Sequence, residues 1–123
     1  MLPEPIALVA GANQSIKLFR GESKTITVDM TGYDLAGASI EWIVANSPFA
    51  DSTIIAKDDT AGISVDTNTL TITLDTADTE NLEDDVYYPD VYYHELRLLS
   101  GGKVTVAMTG NFLLLKSYTE AMP

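Results

Sequence analysis

The chain has no cysteine, a single histidine and a single tryptophan, and only 7 Lys and Arg residues against 18 Asp and Glu. Without cysteine there are no disulfides, thiolate metal sites or cysteine nucleophiles. With one histidine, clustered imidazole ligands are excluded as well. The net charge is -11. The few bases (Lys17, Arg20, Lys24, Lys57, Arg97, Lys103, Lys116) are scattered, so the basic patch needed to hold a phosphate backbone or an anionic membrane is missing. No apolar run is long enough to cross a bilayer as a helix. The opening MLPEPIALVAGANQ does not read as a signal peptide: it lacks a basic leader, two prolines interrupt it, and Ile6 to Ala10 is short. The expectation is a soluble chain made in a cytoplasm, with no nucleic-acid or membrane partner.

Helical periodicity is also nearly absent. What remains is alternation. The 123 residues suit one domain, and a hydrophobic fraction of 46% supplies a core. KTITVDM places Ile26, Val28 and Met30 on one face and Thr25, Thr27 and Asp29 on the other. IEWIVA places Ile40, Trp42 and Val44 together. LTITL does the same with Ile72 at its centre. SIKLFR, TIIAK and ISV are shorter runs of the same kind, and glycine- or aspartate-rich turns separate them. This pattern predicts an all-β sandwich or small barrel of seven to eight antiparallel strands over residues 15–117. Residues 1–14 read as an arm and 118–123 as a tail. The acidic DTADTENLEDD, Asp75 to Asp85, reads as a helical turn near residues 76–83, capped by Thr76 or Asp78, pinned by Leu82 and crossing between sheets.

The stretch YYPDVYYHELRLLSGGKVTVAM holds four of the six tyrosines and the histidine. A three-residue loop, Ser100 to Gly102, gives its hairpin the more amphipathic register. It pairs Leu98 with Val104, Leu96 with Val106 and His94 with Met108. Leu96, Val104 and Val106 then join Ile26, Val28, Ile40, Trp42, Val44 and Ile72 as core. His94 falls on the inner face with no carboxylate paired to it, and Glu95 points the other way. It reads as a structural histidine with one hydrogen-bond partner, since catalysis needs an orienting acid and a nucleophile.

The acidic loops at Asp58-Asp59, Asp66 and Asp75 to Asp85 offer oxygen ligands for calcium, but none has D-x-D-x-D-G spacing. They read as solvated loops, so no metal and no cofactor is expected. Tyr87, Tyr93 and Phe49 are candidate interaction residues, and with Trp42 they suggest a second reading, a carbohydrate-binding module. No phosphate loop or nucleophile elbow is present.

Three features in order carry a resemblance. The strand GESKTITVDM leads through TGYDLAGA to IEWIV. The segment TADTENLEDDVYY precedes YYHELRL. The hairpin SGGKVTVAMTGNFLL closes the series. The order resembles the immunoglobulin-like domains of tailed-bacteriophage structural proteins, such as the amino-terminal domain of baseplate upper proteins. That resemblance implies an immunoglobulin-like β-sandwich and a non-enzymatic virion protein of tail, baseplate, neck or capsid decoration. Its implied partners are other virion proteins and itself, in a symmetric homo-oligomer. It implies no catalytic residues.

Overall fold

The computed structural model describes residues 6–11, 13–45, 53–79 and 90–115. Among them nine strands and one short helix follow one another: β1 (Ile6–Val9), β2 (Ile16–Phe19), β3 (Lys24–Asp29), β4 (Ser39–Ala45), β5 (Thr53–Asp58), β6 (Ile63–Asp66), β7 (Thr69–Leu74), α1 (Thr76–Thr79), β8 (Asp90–Ser100) and β9 (Lys103–Leu115). They form a sandwich. One sheet runs β1-β3-β7-β6 and the other β2-β9-β8-β4-β5. The groupings β3-β7-β6 and β9-β8-β4 follow the B-E-D and G-F-C order of an immunoglobulin-like sandwich, with β5 added beside β4.

Alternation builds the interior. Ile26 and Val28 of β3 and Leu70, Ile72 and Leu74 of β7 line one inner face. Ile40, Trp42 and Val44 of β4 line the other, with Leu96 and Leu98 of β8 and Phe112 and Leu114 of β9. All are buried, and Trp42 and Phe112 are the bulkiest. Each such side chain contributes about 1.5–3 kcal/mol on leaving water. Outward threonines at Thr25, Thr27, Thr71 and Thr73 suit a pleated, partly wet face.

Eight of these strands, β2 to β9, lie within residues 15–117, as expected, and β1 is a ninth. Two expectations need correction here. Two of the pairings are parallel, β1 with β3 and β2 with β9. Residues 1–14 do not all lie outside the strands, because Ile6–Val9 pair with Ile26 to Asp29 and bury Leu8. After β1 the chain turns through Gly11 at φ 94° and crosses to the other sheet as β2. The helical turn spans Thr76–Thr79 among the described residues, where Thr79 holds it; Leu82, expected to pin it, lies outside them. Thr79 is fully buried, and its Oγ1 accepts from the Gly21 N–H at 2.8 Å. Asp78 accepts from the Asp75 N–H at 2.7 Å, closing the first turn as the acid of a capping box does. This connection crosses from one sheet to the other, as the sequence suggests. The 118–123 tail lies outside the described residues.

The β8–β9 hairpin departs furthest from expectation. Its loop has two residues, Gly101 and Gly102, with φ of 59° and 78°. Only glycine takes two successive positive φ values at little cost, and such a turn matches the twist of a hairpin. Leu99 therefore pairs with Val104 and Arg97 with Val106. A bulge between Leu96 and Arg97 then opposes Leu96 to Met108. One extra residue on β9 shifts its inward face from odd to even numbers. Met108, Gly110, Phe112 and Leu114 point inward; Val104 and Val106 are 59% and 49% exposed. The assignment of Val104 and Val106 to the core is corrected on this ground.

Candidate functional site

His94 is the one side chain whose ordinary pKa lies near neutral pH, so its surroundings come first. β8 directs it inward, where it is fully buried, opposite Val44 of β4 and Gly110 of β9. Trp42 Nε1 donates to His94 Nδ1 at 3.3 Å. His94 Nε2 meets the Gln14 carbonyl oxygen at 2.7 Å. An indole N–H only donates and a carbonyl only accepts. Together they leave one assignment: neutral imidazole with its proton on Nε2. Burial holds the pKa below the usual value of 6.5, and the Gln14 carbonyl opposes that shift. Both ring nitrogens are occupied. The described neighbours of the ring, Val44, Gly110, Trp42 and the Gln14 carbonyl, carry no charge. The partner expected at Met108 is instead Gly110, and there are two hydrogen-bond partners rather than one.

Gly110 makes the Gln14 contact possible. A Cβ at this position would lie 1.8 Å from the Gln14 carbonyl oxygen and 3.0 Å from His94 Nε2. Gln14 also folds back on β1: the Val9 N–H donates to its Oε1 at 3.3 Å, and its Nε2 donates to the Val9 carbonyl. The histidine therefore fastens the crossing between β1 and β2 to the centre of the opposite sheet.

The acids near the loops act on their own backbone. Asp58 accepts from Thr60 N–H and Oγ1 at 2.8 and 2.6 Å, and Asp29 does the same for Thr31 at 3.0 and 2.6 Å. Those threonine hydroxyls lower both carboxyl pKa values. Asp78 pairs with Lys57 at 2.9 Å. No group of three or more metal-ligating side chains occurs among the described residues.

Of the aromatic candidates, Tyr93 is half-buried on the outer face of β8, while Tyr87 and Phe49 lie outside the described residues. Trp42 is fully buried and presents no ring to a sugar, which corrects its place in a stacking platform.

The hairpin's far end is exposed among the described residues. Among the described residues, Lys103 to Val106 pair with β8 on one side only, because β2 begins its pairing at Phe112 and Asn13 reaches Thr109. Where β9 parts from the β1–β2 crossing lies a pocket of about 230 Å³. Gly11, Asn13 and Tyr33 line one side and residues 106–109 the other. Loop length and the bulge put this edge on the surface, and a strictly alternating register hides both. No family model matches the chain, and no curated protein matches it either.

Proposed function

We propose that the chain is a non-enzymatic structural component of a bacteriophage virion, built into tail, baseplate, neck or capsid decoration by protein–protein contacts. The observation that carries this reading is the fate of His94. The one side chain suited to proton transfer near neutral pH is spent on bracing Trp42 and Gln14. The hairpin meanwhile keeps exposed valines and an open strand edge, features that suit assembly. The sandwich order of the strands suits the fold that the phage resemblance implies. Its partners on this reading are other virion proteins and further copies of itself. Mass spectrometry of purified particles tests it: the chain is expected at stoichiometric copy number, and its absence from particles overturns the reading.

A further inference from the structure

A two-residue loop makes Ser100 and Lys103 a hydrogen-bonded pair. Alternation then makes Leu99–Val104 and Arg97–Val106 non-hydrogen-bonded pairs. The backbone N–H and C=O groups of Val104 and Val106 therefore point away from β8, into the open edge. Among the described residues nothing pairs with them there. Their side chains stand on the outer face beside Leu99, which is 36% exposed. No proline interrupts this edge, and its one charge, Lys103, stands at the turn end on the face of Thr105, away from Val104 and Val106.

Charge selects the occupant. The chain carries -11 overall, yet no Asp or Glu occurs from residue 96 to residue 119. Two copies approaching through most other faces bring carboxylates together. Through this edge they do not. The segment is also self-complementary. Val104 and Val106 flank Thr105 symmetrically, so two antiparallel copies match Val104 with Val106 twice and Thr105 with itself. Such cross-strand pairs are favourable. The Gly11 N–H, bonded to the Ala107 carbonyl at 2.6 Å, ends the pairing beyond Val106. The second copy's Gly101-Gly102 turn, which bears no side chains, then falls at the mouth of the pocket beside Gly11.

We infer that a second copy of this chain adds antiparallel to the Lys103–Val106 edge, about a two-fold axis through Thr105. The two five-stranded sheets become one continuous sheet. The contact is short, at the low end of interface sizes, so association is reversible and depends on concentration. This inference does not require that the protein be part of a virion.

Sedimentation of the full chain over a concentration series tests it. The mass is expected to rise from one chain toward two. The double variant V104K/V106K is expected to stay monomeric with an unchanged circular dichroism spectrum, while V65K, at a 45% exposed position of the edge strand β6, behaves as the native chain. A thiol readout is clean because the chain has no cysteine. Facing residues of a non-hydrogen-bonded pair have Cα atoms about 4.5 Å apart, within disulfide range. T105C is therefore expected to form disulfide dimers at least about tenfold faster than S64C on β6. A single-chain mass at every concentration, association that survives V104K/V106K, or equal rates for the two thiols would each overturn the inference. None of these outcomes bears on whether the chain is found in particles.

Discussion

Trp42 and His94 share a hydrogen bond inside a core neither leaves: Nε1 donates to Nδ1 at 3.3 Å, with ring centroids 6.0 Å apart. Protonating Nδ1 would set two N–H donors against each other and place a charge where the described contacts supply no anion. The folded state therefore resists protonation, in line with a pKa held below 6.5 by burial. The unfolded chain takes up its proton as the pH falls through about 6.5. Between the unfolded and folded pKa values the unfolded state binds more protons, so stability is complete above that range and falls with pH within it. Because this is the chain's only histidine, urea midpoints at pH 7.5 and 5.5 isolate the effect. A lower midpoint at pH 5.5 is expected. H94Q, whose amide can donate to Gln14 and accept from Trp42, is expected to flatten the difference.

Size and bonding at Trp42 separate by substitution. W42A removes the largest buried side chain and is expected to cost about 3–5 kcal/mol. W42F keeps much of the volume but leaves His94 Nδ1 without a donor. It is expected to cost about 1–3 kcal/mol. Denaturant unfolding monitored by circular dichroism measures both. A W42F variant as stable as the native chain would show that the hydrogen bond contributes nothing.

Thr67 holds φ at 57° in the turn between β6 and β7, the only described non-glycine residue with positive φ. A β-branched residue is strained there. T67G relieves the strain but loosens the unfolded chain, and the first effect is the larger for a left-handed position. The expected gain is about 0.5–1 kcal/mol, read as a rise in the thermal midpoint.

The inner faces of β3, β4 and β7 were legible in the sequence because each side chain's place follows from its immediate neighbours: Ile26, Val28, Ile40, Trp42, Val44 and Ile72 are all buried. The β8–β9 register was not. Strict alternation favours a three-residue loop, and a bulge answers the same demand by another route: the tight turn exposes Val104 and Val106, and the extra residue returns Met108 to the core. β1 was hidden for a different reason. Four residues in parallel pairing, with prolines at 3 and 5 before them, carry little local signal. The Gln14–His94 contact joins residues 80 apart through a backbone atom, which no residue type announces.

The bulge makes an unequal pair of outcomes. V104T and V106T alter exposed side chains and are each expected to change stability by less than about 0.5 kcal/mol. M108A empties a buried site and is expected to cost about 2–5 kcal/mol. The unbulged register predicts the reverse order, with the valines costly, so chemical denaturation of the three variants discriminates between the two hairpins.

Gly110 sits in tight contact with the chain that crosses it. Its backbone needs no special φ, so the restriction is purely one of space. In G110A the new methyl meets the Gln14 carbonyl oxygen at 1.8 Å and its carbon at 2.5 Å, and both are backbone atoms that no rotamer change can move aside. The crossing must lift away, and with it goes the only described acceptor for the His94 Nε2 proton. Overpacking of this kind costs about 1–3 kcal/mol. Loss of the buried hydrogen bond adds about 1–3 kcal/mol. Hydrogen exchange on G110A is expected to show faster exchange at Ala10, Gly11 and Gln14, whose N–H groups are bonded across the crossing. The β3–β7 ladder, which the change does not touch, is expected to open locally no more often than before. Native protection at Gln14 together with native stability would mean that the crossing is not held against the sheet at Gly110.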